Sequence, residues 1–389
     1  RKVSSGTAWG VEAYITGPSE TVDLFPFLDG ARILGAKYTP SAGLVDRSVD
    51  VAQEMVNEAV QMGAVHLIAN TPVTAINTGR RGVRSVETSK GSIRTELVVS
   101  AAGVWGPLIG EMAGAPVPLI PAHHPLMFTA SIPELKGTKN RIEFPLLRDQ
   151  DASAYVRQDW DSFEFGYYET DKLRVLAPED IQHADSVRVG LSPTMIPLQI
   201  EHVLGPMEQV SELIPCLATA QWKMESSYNG VLSFTSDGAP ILGESPEVPG
   251  FWMAEAVWVK DGPGVGNVMA EWIVDGHPKI APQEFDVARF YPHAKTRSFV
   301  LSRSTETAHK VYGIIHPREQ YSSQRDLKLT AFNQRERELG AKFFEAGGWE
   351  RPQWYESNKN LLKEFDGEIT YRLNEWDSRW WSPIISAEH

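Results

Sequence analysis

The sequence predicts an α/β fold with an added antiparallel sheet, on three observations. Over residues 1–116 short apolar strands alternate with stretches of helical spacing. Over 117–229 strand succeeds strand with little helix, and 230–284 returns to a strand, a glycine-spaced loop and a helix. The first and third segments are expected to form one α/β domain, the second a separate antiparallel sheet, and 285–389 a linker and bridge.

Residues 1–30 read as helix-poor and end in the turn Leu28-Asp29-Gly30. Ile33 to Tyr38 reads as a strand closed by Pro40 and Gly43. From Val49 to Met62 apolar residues recur at helical spacing (Val51, Met55, Ala59, Val60), with Gly63 placed as the C-cap. Val65–Ile68 and Val73–Ile76 read as strands, followed by a hairpin of 82–87 and 92–95 around Lys90-Gly91. Glu96–Ala101 reads as a buried strand running into the turn Ala101–Gly106. The middle segment offers strands at Leu126–Ser131, Arg141–Leu147, Ala154–Arg157 and Phe163–Tyr168, then a helix at Gln199–Leu213. Beyond the Asp237–Pro240 turn come a strand, Phe251–Ala256, the loop Gly262-Pro263-Gly264-Val265-Gly266 and a helix from Asn267 to Val274. Thr305–Tyr312 reads as helical, and the remainder is dense in tryptophan: Trp349, Trp354, Trp376, Trp380 and Trp381.

Bulk properties exclude several classes. A net charge of −13 over 389 residues is unsuited to a nucleic-acid surface, which needs a basic stripe. The single cysteine, Cys216, excludes an internal disulfide and a cysteine-rich metal site. No run approaches the ~18 consecutive apolar residues of a membrane-spanning helix. The chain begins at Arg1 without a targeting pattern and reads as an internal piece of something longer.

The loop Gly262–Gly266 is the strongest site candidate. A strand, a glycine-rich loop and a helix N-terminus present free N–H groups and a positive dipole end, which suits a phosphate, a carboxylate or a flavin edge. In the turn 101–106, Gly103 and Trp105 stand at a strand end, where small residues let a backbone approach a ligand. Val73 lies on a strand whose main chain can meet an adenine. His123 and His124 enter the presumed second sheet; on a strand they face opposite sides, so they cannot chelate one metal, and no metal is expected. Tyr155, on Ala154–Arg157, suits the wall of an amine pocket. Arg47, Arg148 and Arg157 can each grip a carboxylate with a bidentate fork. There is no G-x-S-x-G, H-E-x-x-H or P-loop to support a hydrolase or kinase.

Several segments occur in one order: AWGVEAYI (8–15), LFPFLDG (24–30), GAKYTPSAGLVD (35–46), VVSAAGVWGPLIGEMAG (98–114), VPLIPAHH (117–124), SFTSDGAPILGESPEVPGFWMAEAVWV (233–259) and LGAKFFEAGGWERPQWYESN (339–358). Together they resemble the flavin half of the dimethylglycine oxidase, dimethylglycine dehydrogenase and sarcosine dehydrogenase family, within the D-amino-acid-oxidase-like flavoproteins. The resemblance implies an FAD-dependent oxidoreductase fold with an antiparallel substrate-side sheet. It implies active-site roles for His123 and Tyr155, and flavin contacts at Val73, Gly103, Trp105, Lys260, Asp261, Gly262, Pro263, Gly264 and Val265. The implied reaction is oxidative demethylation of an N-methyl amino acid, with hydride passing from the methyl carbon to flavin N5. The iminium then goes to tetrahydrofolate or water, and oxygen or an electron-transfer flavoprotein reoxidises the flavin. The implied setting is cytoplasmic, or the mitochondrial matrix in a eukaryote.

The family's opening βαβ unit with G-x-G-x-x-G, its FAD-attaching histidine and its folate-binding half are not in this sequence. The flavin domain is therefore expected to be incomplete at its N-terminus, to bind FAD poorly and to be inactive alone. Two other readings remain at this stage: a non-catalytic homologue like the regulatory subunit of pyruvate dehydrogenase phosphatase, and a folate-independent amine oxidase.

Overall fold

A computed structural model describes residues 2–45, 47–169, 173–181, 192–313, 316, 318–367 and 380–389. Asp46 and Trp376, both used above, lie outside these residues. Helices α1 (Lys2–Ala8) and α2 (Pro18–Leu24) flank β1 (Tyr14–Thr16), which pairs with β2 (Ala36–Tyr38). Helix α3 (Ser48–Gln61) leads to a small antiparallel sheet of β3 (Val73–Gly79), β4 (Gly82–Thr88) and β5 (Gly91–Arg94). Strand β6 (Val98–Ser100) turns through Gly103–Trp105 into α4 (Gly106–Ala113).

The largest sheet follows: β7 (Leu119–Phe128), β8 (Leu147–Asp149), β9 (Ala154–Asp159), β10 (Ser162–Tyr167), β11 (Met195–Pro197) and, after α5 (Leu204–Leu213), β12 (Tyr228–Thr235). Its spatial order is β11-β12-β7-β10-β9-β8, every pair antiparallel. Period-two side-chain alternation sorts its residues onto two faces. Met127, Val156, Phe163 and Phe165 are buried in a core with Val203, Val210 and Ile214. Phe25 and Phe27 of the LFPFLDG segment reach this core and pack edge-on against Phe144. Burying each such side chain stabilises the fold by about 1.5–3 kcal/mol.

Strand β13 (Ile241–Glu244) pairs with β14 (Phe251–Glu255), and β14 lies parallel to β6, so residues 98–100 and 251–253 share one sheet across 150 intervening residues. Helix α6 (Gly262–Asp275) covers this sheet through Val268 and Met269. Helix α7 (Arg297–Tyr312) buries Phe299, Val300, Thr307 and Ala308. Helix α8 (Asn333–Glu338), the hairpin β15 (Ala341–Ala346) with β16 (Trp349–Tyr355), and α9 (Ile384–Glu388) complete the described chain.

Several local expectations are corrected. Residues 1–30 carry α1 and α2, and α7 begins at Arg297, eight residues before Thr305. Val65–Ile68 forms no strand; Val65, Leu67 and Ile68 are exposed and pair with no described strand. In Arg141–Leu147 only Leu147 joins a strand, since Pro145 offers no N–H to a ladder. Helix α5 starts at Leu204 behind a short 3-10 turn at Ile200–His202.

Candidate active site

The expected loop Gly262–Gly266 is already helix: α6 starts at Gly262, with Pro263 in its first turn. Residues 262, 265, 266 and 269 fall on one helix face, and this face borders a cleft of about 360 Å³. Val99, Ala101 and Gly103 close the cleft from the β6 end, and Ala254 and Val257 from β14. Asp261 is a suitable N-cap residue, yet its carboxylate is taken by Lys260 at 2.6 Å and makes no capping bond. The first turn of α6 therefore has no side-chain cap, although the Gly262 N–H donates to the Val259 carbonyl and Pro263 has no N–H. At Gly262, Gly264, Gly266 and Gly103 a β-carbon would meet no chain atom within 4 Å. The backbone at Gly103, with φ at 57°, itself favours glycine. The chain's packing does not demand Gly262, Gly264 or Gly266, which leave bare surface for a flat group to approach. Of the predicted cofactor contacts, Gly103, Gly262 and Val265 line the cleft. Asp261, Pro263 and Gly264 stand next to lining residues in the chain, Lys260 and Trp105 two residues from one, and Val73 packs into the neighbouring core.

Glu255, beside the cleft residue Ala254, ties β14 to the end of β6. It is fully buried, and its Oε1 accepts from the Ser100 hydroxyl at 2.5 Å and the Ala102 N–H at 3.0 Å. Its Oε2 has no partner among the described residues. Burial raises its pKa, against the Ser100 hydroxyl and the Ala102 and Gly103 N–H groups. Gly106 is glycine because a β-carbon there would stand 2.8 Å from the Glu255 carboxyl. Sequence reading passed over Glu255; an acidic residue ending an otherwise apolar strand was the available signal.

On the large sheet, cross-strand register builds a polar face. Arg148 lies opposite Tyr155, Tyr155 opposite Gly166, Gly166 opposite Leu126, and His124, two residues from Leu126, opposite Gly230. Directly paired residues share a face, so Arg148, Tyr155 and His124 lie on one side, with glycines between. His124 Nε2 and the Tyr155 hydroxyl share a hydrogen bond of 3.0 Å. Burial lowers the His124 pKa to about 4; the Tyr167 backbone opposes the shift and the Arg148 charge adds to it. Burial likewise pushes the Tyr155 hydroxyl well above its usual range.

His123 has the opposite parity. It is buried beside Tyr168, Glu169 and Tyr312, around a cavity of only about 10 Å³. Burial lowers its pKa, with help from Arg174 and against Glu169. The structure thus brings Tyr155 together with His124, and places His123 on the other side of the strand.

A column of rings runs from this pair toward the cleft. His124 stacks on Tyr168 at 4.5 Å, Tyr168 on Tyr312 at 3.5 Å, and Tyr312 on Trp258 at 6.2 Å. Trp258 follows Val257 of the cleft wall and donates from Nε1 to the Ser233 carbonyl, 3.2 Å away on β12. Of the three arginines considered from sequence, Arg47 pairs with Asp50 and Arg157 with Glu164, while Arg148 stands beside Tyr168 and Tyr312. No group of histidine, cysteine and acidic residues among the described residues can hold a metal. No helix of the described residues is long and apolar enough to cross a membrane.

A mixed sheet with a glycine-bordered cleft, linked by a column of rings to a buried histidine–tyrosine pair on an antiparallel sheet, suits a cofactor-dependent oxidoreductase. Comparison with known proteins gives the family. A model of FAD dependent oxidoreductase matches residues 1–272, and one of the FAD dependent oxidoreductase central domain matches 275–330. The chain belongs to the FAD-dependent oxidoreductases. It is 32% identical over 365 residues to mitochondrial sarcosine dehydrogenase of Mus musculus, covering 91% of this chain and 38% of that protein. It is 29% identical to mitochondrial dimethylglycine dehydrogenase of Mus musculus, covering 98% and 42%. The chain thus spans about two fifths of the length of these relatives, and its expected kinship with the flavin half of their family is borne out. Among solved structures, L-proline dehydrogenase from P. horikoshii superposes with a TM-score of 0.61 at 23% identity, covering 75% of this chain and 72% of that one; it shares the fold.

Proposed function

We propose that this chain oxidises the N-methyl group of a small N-methyl amino acid, with FAD held between β6, β14 and the first turns of α6. The observation that carries this reading is the His124–Tyr155 pair, linked by the ring column to Trp258 at the cleft wall. The bare glycines and the positive dipole end at the start of α6 fit a flat, electron-rich cofactor edge. Bound there, FAD supplies the hydride acceptor; the chain supplies position and electrostatics.

Both members of the pair are uncharged at neutral pH: the imidazole titrates near 4, and the phenol keeps its proton. An uncharged, buried pair favours the neutral amine over its ammonium form, because a buried cation without a counter-charge is costly. Only the neutral amine has the lone pair needed to expel hydride from the adjacent methyl carbon. The Tyr155 hydroxyl and His124 ring hold that nitrogen by hydrogen bonding, and the stacked rings of Tyr168 and Tyr312 keep water away. The product is an iminium, which water converts to formaldehyde and the demethylated amine.

Kinship with sarcosine and dimethylglycine dehydrogenases supports this substrate class. The test is to incubate the chain with FAD, desalt it, and add sarcosine or dimethylglycine without oxygen. Retained flavin absorbance that bleaches on addition supports the reading. Retained flavin that stays oxidised with every N-methyl amino acid would sink it.

A further inference from the structure

We infer that Arg148 is the carboxylate anchor of this pocket, the residue that makes it select an amino acid over a simple amine. The inference names a substrate-contacting residue of the site proposed above and rests on that reading. Register puts Arg148 directly across from Tyr155 on the polar face of the large sheet. Its guanidinium carbon lies 5.1 Å from the ring centroids of both Tyr168 and Tyr312. Those rings are stacked 3.5 Å apart and nearly parallel. A point equidistant from two stacked centroids lies beside the stack, where it meets ring rims rather than a π face. The rims give the cation little compensation, since attraction comes from the face of the ring.

Carboxylate partners are also missing. Arg157 of the same sheet is matched with Glu164, and two arginines outside its strands are matched as well, Arg141 with Asp159 and Arg174 with Glu169. Arg148 makes no hydrogen bond or ion pair among the described residues, although the chain carries 50 acidic residues and a net charge of −13. A planar fork left open beside the His124–Tyr155 pair matches the two oxygens of a carboxylate. An N-methyl amino acid places its carboxylate one carbon from nitrogen, so one ligand can span from the hydrogen-bonded pair to the guanidinium.

The test measures binding by calorimetry, with FAD present throughout, so that turnover is not the readout. Two ligands are compared, dimethylglycine and the carboxylate-free dimethylethanolamine, on wild type, Arg148→Lys and Arg148→Met. Wild type is expected to prefer dimethylglycine by about tenfold or more, the size of a charge-assisted fork. Arg148→Met is expected to abolish that preference while keeping its grip on dimethylethanolamine, and Arg148→Lys to keep part of it. Because Arg148 is exposed and makes no described hydrogen bond, both variants should match the wild-type melting temperature. A preference that survives in Arg148→Met overturns the inference, as does a wild type that shows no preference or binds neither ligand. If the preference behaves as expected but no N-methyl amino acid is oxidised, the proposed reaction fails and the anchor stands. Oxidation with an unchanged preference in Arg148→Met removes the anchor alone.

Discussion

The ring of Tyr155 lies flat against its cross-strand partner Gly166, occupying the space a β-carbon on that glycine would need. Glycine in a strand interior costs stability and signals a close approach, here of a side chain rather than of backbone. Gly166→Ala is therefore expected to push the Tyr155 hydroxyl away from His124. The core face of the sheet is untouched, so the protein should still fold, with an overpacking loss of about 1–3 kcal/mol. Misplacing a hydrogen-bonding group by an ångström costs up to about a hundredfold in rate. The measurement is kcat/KM for an N-methyl amino acid beside a urea melt; a folded Gly166→Ala protein with wild-type kcat/KM would show that the ring's position is irrelevant.

The two adjacent histidines should separate cleanly. His124→Gln removes the partner of Tyr155 and is expected to lower kcat/KM by about 10²–10⁴, the usual range for a residue acting on a transferred proton or its amine. His123→Gln lies on the other side of the strand and should change kcat/KM by no more than a few-fold. Equal losses in both variants would show that strand disruption, not the His124 ring, is responsible.

His124 also carries a pH signature. Its folded pKa of about 4 lies below the unfolded value of 6.5, so the native state holds the ring neutral. The stability linked to it is fully present above pH 6.5 and is lost as pH falls towards 4, about 3 kcal/mol over that window. Urea melts at pH 7 and pH 4.5 should show a smaller acid loss for His124→Gln than for wild type. An identical loss would mean the ring is not buried as a neutral group.

The antiparallel sheet and the return of residues 230–276 to β6 were legible because alternation, turns and a glycine-spaced helix start are local signals. The pairing of Tyr155 with His124 was not. Parity along β7 says that His123 and His124 face apart, but only the register of β7 on β10, and of β10 on β9, says which shares a face with Tyr155. Register is a long-range property and leaves no mark at either histidine. Similarly, three arginines looked alike until neighbours in space, Asp50 and Glu164, claimed two of them. The apolar run Val65–Ile68 misled for the opposite reason: its composition suits a strand, yet no described strand pairs with it.

Glu255 ties the end of β14 to the turn after β6. Its raised pKa means that the protonated form is favoured by folding. The stability it contributes is therefore present below the unfolded carboxylate value of 4.5 and lost as pH rises through the folded one. Glu255→Gln should remove that loss, so its stability relative to wild type improves between pH 4.5 and neutrality. Glu255→Ala also removes the titration, but below pH 4.5, where the wild-type carboxyl is protonated, it should lose about 1–3 kcal/mol, because the Ser100 hydroxyl and Ala102 N–H are left without an acceptor. Paired urea melts across this pH range check both; parallel curves for wild type and Glu255→Gln would show that the carboxyl does not titrate differently in the fold.

Beside its β15 ladder, the GWERPQWYESN segment is anchored by a buried ion pair. Glu350 of β16 is buried and accepts from Arg325 Nε at 2.7 Å, from a second Arg325 nitrogen and from the Asp326 N–H at 3.0 Å. Hydrogen bonding from Arg325 lowers its pKa. Removing one partner of such a pair strands the other charge, so Glu350→Ala is expected to cost about 3–5 kcal/mol. A loss below about 1 kcal/mol in a urea melt would place the pair among surface bridges of little consequence.

The first turns of α6 allow folding and cofactor binding to be tested apart. Gly266 has open space where a β-carbon would stand and sits inside a helix, where replacing glycine by a helix former stabilises by about 0.5–1 kcal/mol. A leucine at 266 also projects into the cleft lined by Gly103, Ala254 and Met269. Gly266→Leu should therefore melt at the same temperature as wild type or higher while losing at least tenfold in FAD affinity. A cleft that serves only as a packing gap would show the gain in stability with FAD affinity unchanged. The combination of a firmer fold and an excluded flavin would mean that the glycines are kept for the ligand and not for the helix.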